Sequence, residues 1–125
     1  LGELQTAALI GKALAQDPTV LNAHQCLAMA TINGARALGI DERTGSLEPG
    51  KAADITAISL EDIGCNPLYD PTSSLIHNNR NMRVSHVWVD GKALLLSGHL
   101  QTMNEREIRG KAQQWQRLIA PDNTH

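Results

Sequence analysis

The sequence predicts a mixed α/β chain, with helices at both ends and a small hairpin-based sheet between them, and three observations carry the assignment. Apolar residues recur at helical spacing near both termini. Asn22 with Gln25, and Asn104 with Glu107, have the spacing of capping boxes that open helices. Between them, Asp90-Gly91 separates two short strand-like stretches, a strong two-residue hairpin signal. With 125 residues, 42% of them hydrophobic and 19% charged, the chain has the size and composition of one globular domain.

Taken in order, Leu1, Leu4, Ala7, Ala8 and Leu14 follow a helical period that Asp17-Pro18 closes. The chain begins inside this pattern, so a partner upstream of Leu1 is expected. A second helix opens at Asn22 and places Leu27, Ala30, Gly34, Ala35 and Leu38 on one face, with Gly39-Ile40 as a C-cap of the Schellman kind. Thr44-Gly45 and Glu48-Pro49-Gly50 are turn chemistry around Ser46-Leu47, and Ala53 to Leu60 reads as a strand. A loop from Asp62 to Asp70 follows, broken by Gly64 and Pro67. Asp70 before Pro71 is an N-cap with proline at the first helical position, which predicts a short helix over 71–77. Arg83 to Val89 and Lys92 to Leu96 are the paired strands of the hairpin. Ile108, Ala112, Trp115 and Ile119 form the stripe of a last helix ending at Pro121, before a tail from Asp122 to His125. The sheet has edges that need covering and the first two helices have no strand beside them in sequence, so the chain is expected to belong to a larger body.

Composition removes several classes of function. A net charge of −2 with interspersed signs gives no basic stripe, and Tyr69, Trp88 and Trp115 are too few aromatics for base stacking, so no nucleic-acid partner is expected. No apolar run reaches the roughly 20 residues a bilayer span needs, and the N-terminus lacks the features of a signal peptide. No membrane partner is therefore expected, and a soluble, cytoplasmic protein is the expectation. Cys26 and Cys65 lie in different contexts without CxxC spacing, and Cys26 reads as a small hydrophobe in a helix.

The tempting motif is Gly45-Ser46-Leu47-Glu48-Pro49-Gly50-Lys51, which has the GxxxxGK spacing of a phosphate-binding loop. The chemistry rejects it. Ala52 has no hydroxyl for magnesium, Glu48 would repel phosphate, Pro49 removes an N–H, and the loop leads into a strand rather than a helix. The five histidines, His24, His77, His86, His99 and His125, show neither HxH nor HxxxH spacing, so no metal ligand is assigned. His24 reads as a capping or packing residue and His86 as a half-buried strand residue beside Val84 and Trp88. His77, followed by Asn78, Asn79 and Arg80, is the one candidate for a substrate-facing role, against the plainer reading of a solvated loop. Asp54 and Asp70 do not form an acid and base pair, and Asp54 is expected to orient the start of its strand. No catalytic residue is assigned.

Three stretches together resemble the end of the amidohydrolase superfamily. Ala30-Thr31-Ile32-Asn33-Gly34-Ala35-Arg36-Ala37-Leu38-Gly39 resembles its ATxNGARALG helix, and Gly45 to Ile55 is similar to its GSLxxGKxADL segment. Asn66-Pro67-Leu68-Tyr69-Asp70-Pro71, with Val87-Trp88-Val89-Asp90-Gly91 after it, points to the branch of methylthioadenosine/S-adenosylhomocysteine deaminases and triazine or chlorohydrolases. The resemblance implies the C-terminal fragment of a TIM-like (β/α)8 barrel plus the C-terminal strands of a small composite β-sandwich. Residues 1–40 would be the last barrel helices, 41–98 the sandwich part and 99–125 the terminal helix and tail. It further implies a divalent metal, most often zinc, in the full-length protein, held by histidines and an aspartate that all precede the position matching Leu1. None is carried onto this chain, so the segment alone is expected to bind no metal and to be inactive. The implied reaction is hydrolytic deamination of an amino-substituted purine nucleoside or related ring, a small-molecule substrate. The upstream part of its own barrel would be its first partner, and a homo-oligomer is in keeping with the family. A non-catalytic amidohydrolase homologue, or a small interaction domain, is the alternative.

Overall fold

Leu4 and Ala8 stand one helical turn apart on the first helix, α1 (Gly2–Ala15), and that side is the one turned inward. The computed structural model describes residues 1–79 and 82–120. Helix α1 ends at Gln16, whose φ of 52° lets its N–H reach the Ala13 carbonyl, while the Asp17 N–H reaches that of Lys12. Lys12 Nζ then donates to the carbonyls of Val20 (2.6 Å) and Leu21 (3.2 Å), fastening the following turn back onto α1.

Asn22 makes the expected capping box in full. Its side chain accepts from the Gln25 N–H at 3.0 Å, and the Gln25 side chain accepts from the Asn22 N–H at 2.9 Å. The single helix expected from Asn22 to Leu38 is instead two, α2 (Ala23–Ala30) and α3 (Ile32–Ala37), broken at Thr31 with φ −124° and ψ −104°. The Thr31 hydroxyl donates to the Leu27 carbonyl at 2.8 Å, the back-bond by which threonine bends helices. The expected Schellman motif closes α3: Gly39, at φ +69°, bonds to the Arg36 carbonyl and Ile40 bonds to that of Ala35, both at 3.0 Å.

Asp70 caps α4 (Pro71–His77) by accepting from the Thr72 N–H at 3.0 Å, with Pro71 in the first turn. This helix packs on α1 and α2 and supplies Ile76, which is fully buried with Ala8, Ala23 and Cys26, while Leu4 and Leu21 close over them. Ile76 is the one large aliphatic side chain at the centre of that cluster, and full burial of such a group stabilises by roughly 1.5–3 kcal/mol. Cys26 behaves as the small hydrophobe expected, its thiol donating to the Leu21 carbonyl, and both it and Cys65 are free and buried. The loop before α4 holds one 3-10 turn, Ile63–Cys65, capped by Asp62.

Four antiparallel strands form one sheet in the order β1 (Ile55–Ser59), β2 (Arg83–Val89), β3 (Lys92–Leu96), β4 (His99–Leu100). Strand β1 is shorter than the expected Ala53 to Leu60, because the Ala53 carbonyl is taken by the Gly91 N–H and the Asp54 N–H folds back onto Ala52. The Asp90-Gly91 turn has φ values of 51° and 74°, the two positive angles such a hairpin requires. Ser97-Gly98 repeats this at 48° and 78°, giving β4, a strand the sequence pattern did not show. Between β1 and β2 the register skips Ser85, whose hydroxyl donates to the Ala57 carbonyl at 3.2 Å.

The last helix, α5 (Glu105–Ile119), is capped by Asn104, which accepts from the N–H groups of Arg106 and Glu107. The box expected there is half made. The Glu107 carboxylate pairs with Lys111 at 2.7 Å instead of returning to the cap. No residue of α5 is buried, and Ile108, Trp115, Leu118 and Ile119 of its apolar stripe are exposed. Pro121 and the tail through His125 lie outside the described residues.

Candidate functional site

Helix α4 and the face of β1 flank an open groove. Its volume is about 240 Å³ and its walls are Thr56, Ile58 and Leu60 from the strand side and Pro71, Thr72 and Leu75 from the helix. The residues that form it explain its chemistry. Alternation along β1 sends Thr56 and Ile58 to one face, and the proline start of α4 brings its first turns across them. None of the six is titratable, so this groove holds no acid or base; two threonines bring hydroxyls and the rest of the lining packs apolar groups. A second, more polar hollow of about 290 Å³ is lined by Ser59, Glu61, Asp62 and Arg83. Sequence reasoning missed it because only the register, which pairs Ser59 with Arg83, brings the loop after β1 beside the start of β2.

His77, the sequence candidate for a substrate-facing role, ends α4 and is exposed. It lines neither hollow. Its carbonyl accepts from Gln5 Nε2 at 3.0 Å and ties α4 to α1. Asn78 donates from its side chain to the Gly64 carbonyl at 2.6 Å, and Asn79 to the carbonyls of Leu1 and Ile76. The asparagines of the polar cluster thus hold α4, α1 and the preceding loop together. Arg80 lies outside the described residues.

The other histidines stand on separate elements. His24 is exposed in the first turn of α2, and His99 is exposed in β4. His86 is half-buried as expected, stacked on Trp88 with ring centroids 5.4 Å apart and Nδ1 at 3.0 Å from the Ser85 hydroxyl. His125 lies outside the described residues. Among the described residues no three His, Cys, Asp or Glu side chains come together as a set that could hold a metal ion. The donors of the described residues therefore do not fit a metal centre.

The glycine loop that mimics a phosphate cradle has a different use. Lys51 turns inward, with its side chain 15% exposed, and Nζ donates to the Asp41 carbonyl at 2.6 Å and the Ser46 hydroxyl at 2.7 Å, with Glu48 at 3.7 Å. The ammonium is occupied by the loop itself. Asp54 gathers the next junction. Its carboxylate accepts from the Asp90 N–H at 2.7 Å and from the Thr44 hydroxyl at 2.8 Å, which locks the start of β1, the hairpin turn and the glycine loop together. Those two bonds, with Arg43 nearby, hold its carboxyl below the usual range against a smaller opposing effect of burial. Asp54 orients the start of its strand, as the sequence led us to expect. No helix of the described residues is long and apolar enough to cross a membrane.

Comparison with known proteins places this scaffold. The model of the amidohydrolase family matches residues 1–94. The chain is 47% identical over 117 residues to a 5-methylthioadenosine/S-adenosylhomocysteine deaminase of Teredinibacter turnerae, covering 94% of this chain and 26% of that protein. It is 43% identical over 114 residues to the protein of the same description in Saccharophagus degradans, covering 91% and 26%. Among solved structures, an adenosine deaminase from Xanthomonas campestris with bound zinc superposes with a TM-score of 0.83 at 38% identity, over 94% of this chain and 27% of that one. Atrazine chlorohydrolase from Arthrobacter aurescens, complexed with zinc, gives 0.76 at 28% identity, over 90% and 25%. The chain thus spans about a quarter of the length of the relatives it matches.

Proposed function

The chain belongs to the amidohydrolase family, and from that premise we propose that it is the C-terminal scaffold segment of a metal-dependent hydrolase that deaminates an amino-substituted purine nucleoside, of the methylthioadenosine and S-adenosylhomocysteine class. The observation that carries the reading is the 47% identity to a deaminase of that description across nearly the whole chain. The zinc seen in two structurally similar proteins supports a zinc ion in the complete enzyme. In this reading the ion and the reacting groups are held by other parts of the protein, since the described donors here form no such set.

Residues 1–40 would then be the last helices of a TIM-like barrel, 41–98 the C-terminal share of a small β-sandwich, and 99–125 the terminal helix and tail. The distribution of apolar groups supports this. The buried hydrophobic residues are mostly small, whereas Leu9, Ile10 and Leu14 of α1 face outward. A helix that points its large aliphatic residues away from its own core is shaped to be covered, here by the upstream part of the same barrel. The segment's contribution is then to support the barrel wall and anchor the sandwich, and by itself it would be inactive.

The test is to join the segment to the upstream region of its family-length protein, measure bound metal, and assay ammonia release from methylthioadenosine and S-adenosylhomocysteine. Release from either substrate, absent for the segment alone, is the expected result. A folded, metal-loaded protein that releases no ammonia from either would overturn the substrate assignment.

A further inference from the structure

We draw no further inference here: the strongest candidate, the apolar stripe of Ile108, Trp115, Leu118 and Ile119 along α5, is an uncovered helix face, and nothing in the structure shows what covers it.

Discussion

Replacing Gly45 and Gly50 in turn by alanine separates two costs that the glycine loop combines. The two residues have nearly the same backbone angle, φ +93° and +92°, which side chains rarely adopt. Their surroundings differ. A Cβ on Gly50 would meet nothing within 4 Å, whereas one on Gly45 would lie 2.7 Å from the Ala35 Cβ, 3.0 Å from the Ile32 Cα and 3.3 Å from the Thr31 carbonyl oxygen. Those neighbours are backbone or the first side-chain atom, so none can rotate aside. Gly50→Ala should therefore cost only the conformational strain, roughly 1–3 kcal/mol. Gly45→Ala should add overpacking of about 1–3 kcal/mol against α3. Urea unfolding followed by circular dichroism, on the protein carrying this segment, reads the difference between the variants directly. The expected order is wild type, then Gly50→Ala, then Gly45→Ala. Combining Gly45→Ala with Ala35→Gly removes the closest contact, so the double variant should be more stable than the sum of the single costs. Equal stability of the two alanine variants would refute the argument that the loop approaches α3 through a bare glycine.

Three further outcomes follow from the same geometry. Ile76→Ala should destabilise by about 2–5 kcal/mol and Ile76→Val by about 0.5–1.5 kcal/mol, because Ile76 is fully buried in a cluster of small residues; a loss under about 0.5 kcal/mol for the alanine variant in the same unfolding assay would show that the cluster is not the core. Asn22→Ala should cost about 0.5–2 kcal/mol by breaking the capping box, with Asn22→Gly closer to wild type, as thermal unfolding would show. Because the folded carboxyl of Asp54 titrates below its unfolded value, the unfolded chain takes up its proton first as pH falls. Its stabilisation is present above the unfolded carboxylate pKa and is lost as pH drops through the lower folded one, so Asp54→Asn should flatten the acid limb of a stability–pH profile and leave the wild type steeper.

What was legible in the sequence was local. The Asn22 box, the Asp70-Pro71 start, the Asp90-Gly91 hairpin and the Gly39 cap each depend on residues within one turn of each other, and each forms as its spacing implies. What was not legible depends on distant chain. The break at Thr31, bent locally by the hydroxyl bond to the Leu27 carbonyl, also lies beside the Gly45 loop fourteen residues later, and a continuous helical stripe through Leu38 gives no sign of that approach. The two residues of β4 are too few to show alternation. The hollow beside Arg83 exists only through strand register, and the tie of His77 to α1 runs through its carbonyl, a group every residue has. The four described histidines sit on four different elements, α2, α4, β2 and β4.

This chain concentrates polar side chains on rigid junctions: Lys51 in the glycine loop, Asp54 before β1, Lys12 beneath the first turn, and Asn78 and Asn79 between α4 and its neighbours. Each of these joins separate elements through backbone carbonyls or N–H groups, which fixes main chain rather than presenting a functional head outward. The apolar side chains divide in the complementary sense, small ones inside and large ones of α1 and α5 outside. A free-standing interaction module would be expected to keep its largest aliphatic residues for its own core and expose one confined patch. Here the outward residues lie on α1 and α5 and also between them, as at Leu38, Leu47, Ile63 and Leu68. That arrangement favours a segment built to lie against a larger body, in keeping with a chain that spans about a quarter of the length of its relatives.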